Sequence, residues 1–160
     1  MRILGIDPGF GRMGVAVMEK DGKENLLYSV CFSTPKRNNF SERIGYLEKE
    51  LEKVITEWRP EEVAIERLFF TTNQKTAMQV AEVRGMVLAL LTRNDLPCHE
   101  YTPGQVKVAV TGDGRATKKA IANMVRIFLP NIKPIKFDDE YDAIAVALAH
   151  LATTRITELD

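Results

Sequence analysis

RILGIDPGFGRMGVAVM (2–18) holds two apolar runs with a turn between them. Residues 2–6 form a short apolar stretch that ends on a carboxylate, Asp7, and Pro8, Gly9 and Gly11 supply the turn. Gly14 to Met18 and then Leu26 to Phe32 (LLYSVCF) are rich in β-formers and flank Asp21-Gly22, a hairpin signal. The pattern predicts an opening antiparallel meander whose first strand is buried and closes on an acid.

Beyond the meander the apolar period changes. Between Ser41 and Trp58, the residues Ile44, Leu47, Leu51, Val54, Ile55 and Trp58 recur at helical spacing, and Pro60 closes the segment. Val63 to Ile65 reads as another buried strand, and it too ends on a carboxylate, Glu66. A long helix is expected from about Asn73 to Thr92 and a strand near Pro97 to Tyr101. Helices from about Gly104 to Val110 and Thr117 to Leu129 flank the breaker Gly112-Asp113-Gly114. A loop over 130–137 precedes a last, alanine-rich helix from about Asp139 to Thr154. Antiparallel strands followed by strands alternating with helices imply an α/β architecture, a five-stranded mixed sheet flanked by helices. The length, 160 residues, suits a single domain over 1–160. In such sheets ligands bind at the carboxyl ends of the strands, where Asp7 and Glu66 fall.

Composition narrows the classes. The chain carries 22 basic and 22 acidic side chains, which taken alone argues against a strongly basic nucleic-acid binder. The distribution points the other way. From Tyr101 to Phe137 stand Lys107, Arg115, Lys118, Lys119, Arg126, Lys133 and Lys136 against one acid, Asp113, and then Asp138, Asp139, Glu140 and Asp142 follow. A cationic surface beside an acidic cluster suits a phosphate backbone held next to metal-binding carboxylates, and equally an ordinary solvated face. No apolar run reaches membrane-spanning length and the chain opens on a strand-like pattern, so a soluble cytoplasmic protein is expected. Cys31 and Cys98 lack metal or redox spacing and read as buried thiols. His99 and His150 read as packing or surface histidines. No Ser-His-Asp arrangement suggests acyl transfer.

Asp139 and Asp142 lie three apart on one face of the last helix, near its start. If that helix crosses the ends of the two acid-tipped strands, Asp7, Glu66, Asp139 and Asp142 converge. Like charges at close range repel and raise one another's pKa, a conflict that hard divalent ions such as Mg²⁺, with Mn²⁺ as a substitute, remove. Two ions about 3.5 to 4 Å apart can support an in-line phosphodiester hydrolysis without a covalent intermediate. Singly, each acid has a blander use: Asp7 as a turn former, Asp138 as a helix cap. Asp138 and Glu140 stay open as alternative third ligands.

Four segments, GIDPGFGRMGVAV (5–17), AIERLFF (64–70), TPGQVKVAVTGDGRATKKAIANMV (102–125) and DEYDAIAVALAH (139–150), occur in the order found in the RuvC-type Holliday junction resolvases, which the chain resembles over almost its whole length. The resemblance implies a ribonuclease H-like fold and a structure-selective endonuclease that cuts four-way DNA junctions symmetrically in recombination and repair. It implies that Asp7, Glu66, Asp139 and Asp142 are the catalytic, metal-binding carboxylates, with Asp139 favoured by the D-x-x-D-A pattern. It implies that Lys107 and Lys118 approach junction phosphates and that Phe69 stacks on a base near the crossover. A homodimer is implied by the two-fold junction, as is a RuvA-RuvB branch-migration complex as partner. The helix 73–92, through Ala77, Val80, Ala81, Met86, Val87 and Leu91, supplies either the dimer face or a face buried in its own subunit. Two departures stand out: Phe10-Gly11-Arg12 replaces small polar residues, with Arg12 suited to a phosphate, and Asp113 lies in a loop expected near DNA. Rival readings are a nuclease for RNA/DNA hybrids, a non-catalytic DNA-binding relative and an actin-like or sugar-kinase ATPase, for whose paired domains the chain is short.

Overall fold

The structure is a computed structural model and describes residues 1–67 and 74–157. Its elements are β1 (Arg2–Asp7), β2 (Arg12–Asp21), β3 (Lys23–Ser33), α1 (Phe40–Trp58), β4 (Glu62–Glu66), α2 (Gln74–Arg93), β5 (Cys98–Tyr101), α3 (Pro103–Thr111), α4 (Lys118–Phe128) and α5 (Asp138–Thr157). They form one five-stranded sheet in the order β3-β2-β1-β4-β5. β1, β2 and β3 pair antiparallel, while β4 lies parallel to β1 and β5 parallel to β4. The expected mixed sheet is therefore present. β2 and β3 run further than their apolar cores because the hairpin narrows to Gly22, whose φ of 73° lets Asp21 pair with Lys23.

Strand alternation sorts the residues between two helical layers. Leu4 and Ile6 of β1, Val15 and Val17 of β2, and Val63 and Ile65 of β4 pack with Leu47, Leu51 and Val54 of α1 and Val83, Val87 and Leu90 of α2. Ile3, Ala16, Met18, Ala64 and Tyr101 pack on the other face against α5, backed by Val106 and Val110 of α3 and Ile121 and Val125 of α4. Capping boxes start two of these helices, Asn39 with Glu42 for α1 and Thr102 with Gln105 for α3. Gly112, at φ 77°, ends α3. Among the described residues no helix is long and apolar enough to cross a membrane.

α5 is the helix that matters for the site. From Ala143 to Leu151 its side chains are buried, and alanines let it lie close against the sheet. Two glycines make the approach closer still. A Cβ on Gly5 would lie 2.2 Å from the Ala143 carbonyl oxygen, and one on Gly14 would lie 1.8 Å from that of Asp139. The helix thus rests on bare backbone of β1 and β2, with its first turn over the carboxyl end of β1.

Candidate metal centre at the carboxyl end of the sheet

The same alternation that builds the core aims the acids. Ile3 and Gly5 face α5, so Asp7, two residues on, faces it as well; Ala64 faces α5, so Glu66 does too. Ile6 pairs with Ile65 in the parallel ladder, which sets Asp7 and Glu66 side by side at the strand ends. Seated by Gly14, the first turn of α5 brings Asp139 and Asp142 to the same corner. The four acids act on one another: Glu66, Asp142 and Asp139 all raise the pKa of Asp7.

Electrostatics here are unfavourable for a set of bare carboxylates. Burial first, then the charges of Glu66, Asp142 and Asp139, push Asp7 well above the usual range, against a smaller opposing pull from Lys118. Burial and the Asp142 charge push Glu66 up to about 7, although Lys118 and Lys107 work against this. Asp142 is raised by burial despite its hydrogen bond from Lys118. A cluster held this far from its preferred ionisation is suited to a cation.

Two cationic side chains of the chain already answer part of that demand. Lys118 Nζ, on the first residue of α4, donates to Asp142 Oδ2 at 3.0 Å. Burial disfavours its charge, but the hydrogen bond and the negative charges of Asp142, Asp138 and Asp7 prevail and raise its pKa. Arg12 Nε lies 2.9 Å from Asp139 Oδ2, and its guanidinium stacks over Phe137. The Arg12 contact is an ion pair without hydrogen-bond alignment, for Asp139 Oδ2 is buried and has no hydrogen-bond donor. That buried oxygen, with only the ion pair to Arg12, stands beside three carboxyls with raised pKa values, and oxygen donors of this kind suit a hard divalent cation. The chemistry of the residues fits such an ion, which would draw together oxygens that, among the described residues, form no group of three within 4.8 Å of one another.

The three acids of the first turn stand in different surroundings. Glu140 accepts a hydrogen bond from Ser29 of β3 at 2.6 Å, which ties it to the far side of β2. Asp138 is exposed. Asp139 is the one paired with Arg12 and felt by Asp7 and Asp142.

The remaining residues singled out in the sequence distribute as follows. Lys107 is partly buried on α3 and close enough to lower the Glu66 pKa. Phe69 lies outside the described residues. Asp113 is turned to the loop backbone, where its Oδ1 accepts from the Arg115 amide at 2.9 Å. Arg12, suited by sequence to a phosphate, is ion-paired with Asp139 and half-exposed. In α2, Val87 and Leu91 are buried in their own subunit's core with Met86 against them, whereas Ala81 is exposed and Ala77 and Val80 are half-exposed. Cys31 and Cys98 are only partly buried, and burial raises both thiols to about 11.

What the sequence did not disclose is the use of Gly5 and Gly14, and the meeting of His99 and His150 at Glu62. Strand parity offered a signal for the latter: Glu62 shares a face with Glu66, and His99 with Tyr101. The partner on α5, fifty residues further along, is fixed only by packing.

The fold and the acid-tipped strands define the class, a ribonuclease H-like domain of the nuclease type. The family model described as "Crossover junction endodeoxyribonuclease RuvC" matches residues 3–150. The protein of that name from Pseudothermotoga lettingae is 42% identical over 159 residues, covering 98% of each chain. That from Desulfitobacterium hafniense is 46% identical over 153 residues, covering 94% of this chain and 92% of its own. The structure of T. thermophilus RuvC in complex with a Holliday junction substrate superposes with a TM-score of 0.91 at 33% identity, covering 98% of this chain and 96% of that one. The chain belongs to the RuvC family.

Proposed function

We propose that this chain is a structure-selective endonuclease that resolves four-way DNA junctions by divalent-metal-dependent hydrolysis of phosphodiesters, working as one domain over 1–160. The observation that carries the reading is the placing of Asp7, Glu66, Asp139 and Asp142 where α5 crosses the ends of β1 and β4, close enough that their charges raise one another's pKa values. A relative of similar fold is known in complex with a Holliday junction substrate, which supports the choice of substrate.

Asp7, Glu66, Asp139 and Asp142 would hold Mg²⁺, with Mn²⁺ as a substitute and two ions per site. Bound there, such ions activate a water and neutralise charge on the scissile phosphate and leaving oxygen. Lys118 and Lys107 stand beside the acids and supply positive charge that holds the phosphodiester and offsets charge developing on its oxygens. Arg12 keeps Asp139 oriented through its ion pair. Phe69 takes the base-stacking role. Two matched cuts in a two-fold junction call for two copies of the site, hence a homodimer. Action on DNA in recombination and repair fits a cytoplasmic protein with a RuvA-RuvB branch-migration complex as partner.

The test is Mg²⁺-dependent cleavage of a synthetic mobile four-way junction, beside linear duplex and an RNA/DNA hybrid, with Asp7→Asn protein as control. Symmetric, ligatable nicks in the junction alone are expected, with Asp7→Asn binding the junction but not cutting it. Preferential cutting of the hybrid, or unaltered cutting by Asp7→Asn, would refute the proposal.

A further inference from the structure

At the opposite end of β4 from the carboxylates, Glu62, His99 and His150 bring one ligand atom each to within 4.8 Å of one another. Their convergence has a simple origin. Glu62, Ala64 and Glu66 share the face of β4 that meets α5, so one end of that face presents Glu66 to Asp142 and the other presents Glu62 to His150. Four strand residues span roughly 13 Å, and the eight helical residues from Asp142 to His150 span about 12 Å. The two clusters therefore sit at opposite ends of one strand and about 12 Å apart along one helix.

We propose that Glu62, His99 and His150 form a second metal site, selective for a borderline transition ion of the Zn²⁺ type and separate from the carboxylate centre. The donor set is two imidazole nitrogens and one carboxylate oxygen, a combination that favours zinc over magnesium. Glu62 Oε2 lies 2.7 Å from His150 Nε2 and 3.3 Å from His99 Nε2. Ligand atoms at tetrahedral zinc, with bonds of about 2.0 to 2.1 Å, stand roughly 3.3 Å apart, so a small widening at His150 admits the ion. His99 is exposed and His150 is 2% exposed, which gives the site an open entrance on one side and a rigid wall on the other. The fourth position falls to solvent.

The surroundings orient His150 as a ligand. Its Nδ1 is 2.7 Å from the Tyr101 hydroxyl, beside which lies Thr153, whose Oγ1 donates to the Ala149 carbonyl at 2.8 Å. With zinc on Nε2, the imidazole proton resides on Nδ1 and is donated to the Tyr101 oxygen, whose own hydrogen turns to Thr153. Such a second layer of hydrogen bonds fixes tautomer and ring direction in metal sites. A zinc ion here would join the start of β4, β5 and the later turns of α5.

The test is calorimetric titration of the full chain with Zn²⁺ in millimolar Mg²⁺, which occupies the carboxylate centre, together with Co²⁺ absorption as a reporter of tetrahedral geometry. One zinc per chain is expected, with a rise in Tm and a tetrahedral Co²⁺ spectrum. His99→Ala, a change at an exposed side chain, should weaken binding at least tenfold and abolish that spectrum, and Tyr101→Phe should weaken it about 10- to 100-fold. Absence of zinc binding, or binding that His99→Ala leaves unchanged, overturns the proposal. Neither result depends on junction cleavage, so the two readings stand or fall separately.

Discussion

Each acid of the carboxylate centre is placed by strand or helix parity, and burial raises the pKa of three of them, Asp7, Glu66 and Asp142. The consequence is testable without any substrate. A carboxyl whose folded-state pKa is raised stabilises the fold below its unfolded value and loses that contribution as pH rises through its folded value. For Glu66 the window runs from the ordinary carboxylate range up to about 7. In metal-free buffer, Glu66→Gln should therefore raise Tm over the parent at pH 8 and lose most of that advantage at pH 5, as thermal unfolding at the two pH values will show. Saturating Mg²⁺ should shrink the gain at pH 8, because the cation relieves the same repulsion. The lysines give a separate readout. Lys107→Ala and Lys118→Ala should each weaken junction binding and reduce the slope of log affinity against log salt by roughly one unit for each phosphate no longer neutralised. An unchanged slope in either variant would remove that lysine from the phosphate track. Lys118 also pairs with Asp142, so its loss should depress turnover beyond what weakened binding accounts for, whereas Lys107→Ala should act chiefly through binding.

Among the elements, α5 does most to make the site, and its position depends on what β1 and β2 lack. Gly14 has no space for a side chain beneath the Asp139 carbonyl, while Gly45, in α1, has nothing within 4 Å of a built Cβ. Gly14→Ala should then cost about 1 to 3 kcal/mol or more through overpacking and displace the first turn of α5 with its carboxylates. Gly45→Ala should stabilise by about 0.5 to 1 kcal/mol, since alanine is the better helix former. Denaturant titration of both variants checks the pair, and a cleavage assay should find Gly14→Ala impaired and Gly45→Ala normal. This contrast also explains what could be read in advance. The acid-tipped strands, the alanine-rich helix and the order of elements were legible because they depend on local period and turn chemistry. The glycine contacts were not, since Gly14 looks like any strand glycine until a helix more than a hundred residues away is laid across it. The hydrogen bond between Ser29 and Glu140 was hidden for the same reason, since the two are neighbours only in the folded sheet. Arg12 was legible as a cation but its pairing with Asp139 was not, because that depends on its strand face, shared with Gly14, meeting α5.

For the whole molecule, the proposed homodimer would present the site twice to a two-fold substrate, and one outer layer offers a surface that could do so. α2 has two unlike faces. Val83, Val87, Leu90 and Leu91 are buried against the sheet, whereas Met78 is 66% exposed and Ala81, Gly85 and Ala89 are exposed at spacings of three or four residues. A stripe of small side chains with one long apolar residue lets a second helix approach closely, and α2 follows directly after the segment that leaves the Glu66 strand end. An isologous pairing through this face would place two carboxylate centres in one assembly, related by the symmetry of the junction. Ala81→Arg puts a long cation into the stripe without touching the core, so the variant should keep the parent's Tm at dilute concentration while sedimenting as a monomer at micromolar concentration. Its carboxylate centre is intact, and the expected product from a supercoiled plasmid carrying an extruded cruciform is then a single nick, in place of the linear form made by paired cuts. A variant that remains dimeric and linearises the plasmid as the parent does would place the subunit contact elsewhere than on α2.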